Sequence, residues 1–303
     1  MIRVFAPATV ANLGAGFDVL GLAVTGLGDT VEAERLPNGL ELTVKGGGDL
    51  PAEVDKNTTG IAAMAALRRL GMPGGARLWL TKGLPNGSGL GSSAASAAAG
   101  AFAVNALYGH RLSPELLVEC ALEAEASVSG GRFADNVAPA VLGGCQLVRS
   151  TGPIDLVPLG SIPQARFVLV TPKVEVLTRQ ARAALPPSVP MTELVRHTAD
   201  ACGLTAAFLR ADYALLARSI HDAIVEPVRA RFIPHYDAVR AAALEAGAHA
   251  FSISGSGPTV FALTNDPDRA QIIRAAMVAA FAAGGCASRS AVSMIDPVGA
   301  RQI

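Results

Sequence analysis

Pro85-Asn86-Gly87-Ser88-Gly89-Leu90-Gly91-Ser92-Ser93-Ala94-Ala95 is the stretch that decides how this chain is read. Three glycines alternate with small or apolar residues, and a small-residue segment then runs on to Leu107. Glycine reaches backbone conformations closed to other residues and lets the main chain approach a ligand closely. Ser92 and Ser93 stand where a helix would begin, so free N–H groups and the positive end of the helix dipole face the glycine turn. A turn of N–H donors opening a helix is an anion site, and a phosphate is the usual anion. The Walker spacing is absent, because no Gly-Lys-Ser/Thr closes the loop and Lys82 precedes the glycines. The dinucleotide pattern G-x-G-x-x-G is absent too, since Ser92 stands at the place of its last glycine. A lone Gly-rich loop reads first as an ordinary flexible surface turn, but the full string is much more specific than that.

The chain has 303 residues, enough for one large or two ordinary domains with a sizeable core. Charged residues make up 17% and hydrophobic ones 50%, a composition of compact globular proteins. Basic and acidic residues balance at 25 each with no long basic run, which leaves a nucleic-acid or anionic-membrane partner without electrostatic support. The apolar N-terminal stretch to Leu27 carries Asp18 at its middle, which would cost about 2.5–3.5 kcal/mol in a bilayer. It also lacks the basic start and cleavage pattern of a signal peptide. Cys120, Cys145, Cys202 and Cys286 are scattered and form no C-x-x-C pair, and the five histidines show no metal-ligand spacing. Buried thiols in a reducing cytoplasm are the expectation.

Short apolar strands alternate with helical stretches, the pattern of a mixed α/β or α+β protein. Strands are predicted over residues 2–6, 40–44, 77–81, 142–149, 167–171, 251–254, 259–263 and 287–294. Helices are predicted over 57–70, capped by Thr58 or Thr59 and ended by Gly71, and over 93–108, 193–210, 213–225, 235–246 and 267–283. Ser113-Pro114 opens a further helix as a cap followed by a first-turn proline. On it Leu116, Leu117, Cys120 and Ala124 form an apolar stripe, Glu119 and Glu123 face solvent, and Glu125 projects at the stripe's margin. The Pro- and Gly-rich run 151–163 separates two patterned halves, giving expected domains of 1–155 and 156–303.

The glycine string resembles the phosphate loop of the GHMP small-molecule kinases. The resemblance covers nearly the whole chain. It includes the opening Ala6-Pro7-Ala8-Thr9-Val10-Ala11-Asn12-Leu13-Gly14-Ala15-Gly16-Phe17-Asp18 and the late Ser254-Gly255-Ser256-Gly257-Pro258-Thr259. Asp135-Asn136-Val137-Ala138-Pro139 and Glu226-Pro227-Val228-Arg229 resemble, in particular, the members that act on homoserine. The resemblance implies a ribosomal-protein-S5-like N-terminal domain, a ferredoxin-like C-terminal domain, ATP and Mg²⁺ as cofactors, and a homodimer. It implies phosphorylation of the side-chain hydroxyl of L-homoserine. Another GHMP kinase acting on an isoprenoid precursor, or a non-catalytic nucleotide-binding relative, are the other readings.

Carried over residue by residue, Pro85, Asn86, Gly87, Ser88, Gly89, Leu90, Gly91, Ser92 and Ser93 would hold the nucleotide, with Ser256 and Gly257 from the second loop. Ser93 and Glu125 would hold the metal; without the resemblance Glu125 reads as an ordinary helix-flank residue. Asn12, Asp18, Asn136, Thr178, Arg182 and Arg229 would bind substrate, and Asp135, Asn136 and Arg182 are the catalytic candidates. A guanidinium binds a carboxylate with two parallel hydrogen bonds, which suits Arg182 and Arg229 to the amino acid's acid end. Without the resemblance each reads about as readily as a surface residue of a helix or loop, and Lys173, Arg179 and Arg231 are close decoys. Counted back from Gly143-Gly144, the aspartate that acts as base in related kinases falls on Asn136, an amide that can polarise a hydroxyl but not accept its proton. Phe133 stands where these kinases often carry histidine. Pro186-Pro187-Ser188-Val189-Pro190 reads either as a lid or as a stiff connector.

Overall fold

The computed structural model describes residues 1–176 and 178–303, and of Ser129 and Thr178 the backbone alone. The chain opens with β1 (Ile2–Ala11), β2 (Leu20–Leu36) and β3 (Gly39–Lys45). It continues through α1 (Thr58–Leu70), β4 (Gly75–Thr81), α2 (Ser92–Leu107), α3 (Pro114–Ser129), α4 (Val137–Leu142), β5 (Cys145–Thr151) and β6 (Ile154–Gly160). The second half holds β7 (Arg166–Pro172), α5 (Thr178–Ala183), α6 (Met191–Arg210), α7 (Tyr213–Ser219), α8 (Glu226–Arg229) and α9 (Tyr236–Glu245). β8 (Ala250–Ile253), β9 (Val260–Thr264), α10 (Pro267–Ala283), β10 (Ser288–Ser293) and β11 (Arg301–Gln302) complete it.

The first sheet runs β11-β1-β2-β4-β3, with β5 on the other half of β2 and β6 on β5. β3 and β4 are parallel and joined through α1; the other pairs are antiparallel. β2 is the backbone of this sheet, and no strand was expected over its residues. Its glycines read as breakers, yet a Cβ on Gly21 would lie 1.6 Å from the Asp135 carbonyl oxygen and one on Gly28 2.3 Å from that of Ala6. At those two positions glycine is there because another backbone presses on the strand. The predicted strand 142–149 also begins late: Leu142 ends α4, and Gly143 at φ 74° turns the chain into β5.

α2 is apolar around its whole circumference, as a helix buried on all sides must be. Alanines let neighbours approach closely, and at Gly100 a Cβ would stand 2.4 Å from the Thr59 carbonyl of α1. Asn57, not Thr58 or Thr59, caps α1: its side chain accepts from Thr59 N–H at 2.9 Å. Ser113 caps α3 as expected. Leu116 is exposed rather than part of the buried stripe, and Glu119 and Glu123 pair with Arg69 and Arg68 of α1 instead of facing free solvent.

The second sheet runs β10-β7-β9-β8, all antiparallel. In strand order along the chain this is 4-1-3-2, the arrangement of a split β-α-β unit, as expected of a ferredoxin-like domain. Its two faces alternate by residue. Phe167, Leu169, Phe261 and Leu263 join the core that also holds the first sheet, α2, α6 and α7, while Val168, Val170, Val260 and Ala262 pack with α9 and α10. One apolar core therefore continues across the junction. By strand pairing β6 belongs to the first sheet, so the expected division after residue 155 falls within a strand and the sheets part at residues 161–165. The predicted helix 213–225 stops at Ser219. Asp222 then accepts from the N–H groups of Ile224, Val225 and Glu226, which starts α8 and so places Arg229.

Candidate active site

A cleft of about 330 Å³ lies between α2, the β1–β2 loop, α3, α5, α8 and the second glycine loop. Among its lining residues are Asn12, Asp18, Asn86, Gly87, Ser88, Gly89, Gly91, Ser92, Ser93, Glu125, Asp135, Asn136, Arg182, Arg229 and Ser256. The fold thus gathers most of the residues expected from the sequence. Pro85, Leu90 and Gly257 do not line it: Leu90 is buried in the core, and the Gly257 carbonyl packs behind Gly89. The side chain of Thr178 lies outside the described residues. Arg179 and Arg231 are exposed and line no part of it.

The phosphate-loop candidate is held by its carbonyls. Ser88 O accepts from both the N–H and the hydroxyl of Thr259, at 3.1 and 2.6 Å; Gly89 O accepts from Ser254 Oγ at 2.6 Å; Leu90 O accepts from Thr9 N–H at 3.0 Å. No hydrogen bond among the described residues takes up the N–H groups of Ser88 to Ser93. Three carbonyls are spent on the protein and the donors that remain belong to a loop lining the cleft, with the N-terminus of α2 behind them. Gly87, Gly89 and Gly91 all have φ near +60° to +80°. At Gly89 a Cβ would stand 2.6 Å from the carbonyls of Ser254 and Gly257, and at Gly91 1.9 Å from Thr9 Oγ1.

Beneath this loop lies a feature that the sequence reading missed. Lys82 Nζ pairs with Asp29, and both side chains are almost wholly buried. The ammonium also donates to Ser92 Oγ at 2.7 Å and Ser96 Oγ at 2.9 Å, while Asp29 accepts from the N–H groups of Gly83 and Leu84. Burial pulls the Lys82 ammonium below its usual range, against the pull of Asp29. The available signal was a lysine closing an apolar strand three residues before Pro85.

Glu125 leaves α3 toward the loop, where Ser93 Oγ donates to its carboxylate at 2.6 Å. Burial raises its pKa, and the Ser93 bond opposes that. Asn136 precedes α4, and its Oδ1 accepts from Thr9 Oγ1 at 2.6 Å. Asp135 is buried and its Oδ1 accepts from Asn136 N–H. Burial first, then the charges of Asp18 and Glu125, push its carboxyl up to about 7.

The β1–β2 loop is strained: Asn12, Leu13 and Asp18 all have positive φ. Such conformations are uncommon for non-glycine residues and cluster at ligand sites. Asn12 spans the cleft floor, donating to Gly255 O at 3.0 Å and accepting from Asp18 N–H at 3.1 Å. Arg182 from α5 makes a two-pronged pair with Asp18, at 2.8 and 2.9 Å. Arg229 from α8 is buried and donates to Gly255 O at 2.7 Å. Two guanidinium and two carboxylate groups therefore share one end of the cleft.

The model of the GHMP kinases N terminal domain matches residues 57–144, and that of the GHMP kinases C terminal domain matches residues 204–283. The chain belongs to the GHMP kinase family, whose members use ATP as phosphate donor. Within the family its similarity runs to homoserine kinases. That of Arabidopsis thaliana is 46% identical over 318 residues, spanning 100% of this chain and 84% of the relative. That of Halorubrum lacusprofundi is 43% identical, spanning 96% of this chain and 95% of its own. The crystal structure of homoserine kinase from Cytophaga hutchinsonii superposes with a TM-score of 0.95 at 43% identity, over 100% of this chain and 97% of that one. A mevalonate kinase from L. major, at 17% identity and TM-score 0.73, shares the fold.

The seam between the two glycine loops has a direct test in nucleotide titration. Gly89→Val should abolish measurable ATP binding, because the added side chain drives the loop off Ser254 and Gly257. Ser254→Ala, which removes one hydrogen bond to Gly89 O, should weaken it about two- to tenfold. Unchanged affinity in both folded variants would show that the loop does not hold the triphosphate.

Proposed function

We propose that this protein transfers the γ-phosphoryl group of ATP to the side-chain hydroxyl of L-homoserine, giving O-phospho-L-homoserine for threonine synthesis. The observation that carries the reading is the charged end of the cleft, where Asp18, Asp135, Arg182 and Arg229 meet. Homoserine is a zwitterion with an alcohol. Its ammonium suits the space shared by Asp18 and Asp135, whose mutual repulsion it relieves. Its carboxylate suits Arg229 and the donors of Arg182 that Asp18 leaves free. The kinship with homoserine kinases supports the same substrate.

Phosphoryl transfer depends on positioning and charge neutralisation more than on covalent chemistry. The loop N–H groups hold the phosphates. Asn136, its carbonyl oxygen engaged by Thr9, orients the acceptor hydroxyl with its amide. The homoserine oxygen bonds to the γ-phosphorus as the bond to ADP breaks, and the alcohol proton passes to the transferring phosphoryl group, since an amide takes none. Ser93 and Glu125 would hold Mg²⁺, an all-oxygen pair of the kind this ion prefers with phosphate and water completing its shell. When bound, the ion neutralises phosphate charge. A homodimer acting in the cytoplasm belongs to the same reading, supported by the family resemblance. No helix among the described residues is long and apolar enough to cross a membrane.

A coupled ADP-release assay with homoserine, mevalonate and galactose tests the assignment. Turnover with homoserine is expected; turnover confined to mevalonate or galactose overturns it.

The position of Asp135 gives a pH signature. An ordinary carboxylate stays charged down to about pH 4, whereas this one takes up its proton below about 7. Protonation removes the charge that faces the ammonium, so KM for homoserine should rise as pH falls from about 8 to about 6. Asp135→Asn should have a high KM that no longer changes over that range. A flat wild-type profile would remove Asp135 from the ammonium site.

A further inference from the structure

Arg182 has a task that its own element cannot perform alone. α5 is six residues long, and an arginine side chain is long and rotameric, so its guanidinium needs outside constraint. Asp18 supplies one, along a single edge. Its central carbon sits over two aromatic rings. Arg182 Cζ lies 3.9 Å from the centroid of Phe133 and 5.4 Å from that of Phe17. Phe17 in turn lies 5.0 Å from Arg229 Cζ, so one ring serves both guanidinium groups. The Nε–H of each arginine is buried with no hydrogen-bond partner among the described residues. Those two cations are thus partly stripped of water, and burial pulls the Arg229 pKa down. The negative face of an aromatic ring attracts a cation most where water is excluded.

We propose that Phe133 is a positioning residue for substrate carboxylate recognition, its ring fixing the plane of the Arg182 guanidinium, with Phe17 setting the spacing between Arg182 and Arg229. Phe133 lines the cleft two residues before Asp135, so the same turn presents the ring and the carboxylate that faces the ammonium. A side chain of equal apolarity without a ring would fill the space and leave Arg182 free to pivot on Asp18. The inference rests on the amino acid being the substrate.

The experiment is steady-state kinetics of wild type, Phe133→Leu, Phe133→Met and Phe133→Tyr with homoserine and with homoserine amide, alongside thermal melts. Loss of the ring should raise KM for homoserine about three- to thirtyfold, with the loss falling on KM rather than kcat and KM for ATP unmoved. Phe133→Tyr, which keeps the ring, should restore most of the affinity. The amide lacks the carboxylate charge, so on it the Leu and Met variants should lose little relative to wild type. Equal losses on acid and amide, or a Tyr variant as poor as Leu and Met, would make Phe133 a wall and not a positioning residue. An unchanged KM in Leu and Met would overturn the proposal outright. Wild-type turnover of homoserine separates these outcomes from failure of the substrate reading; its absence would overturn both.

Discussion

The site depends on where three consecutive backbone carbonyls point. Ser88, Gly89 and Leu90 give their oxygens to Thr259, Ser254 and Thr9, that is, to the second sheet's glycine loop and to β1. A peptide whose carbonyl is committed on one side presents its N–H on the other, so the same bonds that dock the loops leave its donors for an anion. This requires left-handed backbone at Gly87, Gly89 and Gly91, and at Gly89 and Gly91 it requires a missing Cβ as well. The two halves of the chain are not merely joined by a linker. They share an apolar core and a polar seam, and the cleft opens along that seam.

Electrostatics then divides the cleft into two ends. At the glycine-loop end, Lys82 and Asp29 form a buried pair that ties Ser92 and Ser96 to the turn at Gly83 and Leu84. A pair so buried gains little net stability, because desolvation offsets attraction; its effect is to fix one arrangement of the loop's base. At the other end the charges balance in number but two of them are buried away from water. Asp135 is raised by burial and by the neighbouring acids, and Arg229 is lowered by burial. A zwitterion carries the two charges that would relieve both.

Much of this was legible in the residues, for identifiable reasons. The string Pro85 to Ala95 carries its own geometry, since alternating glycines before a serine-opened helix leave few alternatives. Glu125 stood apart from Glu119 and Glu123 on the helical wheel, though only the resemblance made it a metal candidate, and Ser113-Pro114 marked the start of α3. Gly71 marked a helix end because only glycine takes that angle readily. What escaped was set by tertiary approach. β2 is broken by glycines that exist to admit the Asp135 and Ala6 backbones, so local propensity argued against the longest strand. Asp222, which begins the next helical stretch after α7 stops at Ser219, looked like any helix polar residue until its three N–H partners were seen. Arg182 and Arg229 were chosen by resemblance; nothing local distinguishes them from Arg179 and Arg231. That Asp18 occupies one edge of Arg182 was invisible in the chain, because the two are 164 positions apart.

The central claim is that the charged end of the cleft reads an amino acid's carboxylate. The most direct measurement is kcat/KM of wild type and Arg229→Ala, each with homoserine and with homoserine amide, on folded protein. Loss of a charge-assisted hydrogen bond of about 1.5–3 kcal/mol predicts a tenfold to hundredfold fall on homoserine. Wild type should handle the amide poorly, and Arg229→Ala should lose little more on it. Equal falls on both substrates would contradict the account, placing Arg229 on the phosphate or in the fold instead of on the carboxylate.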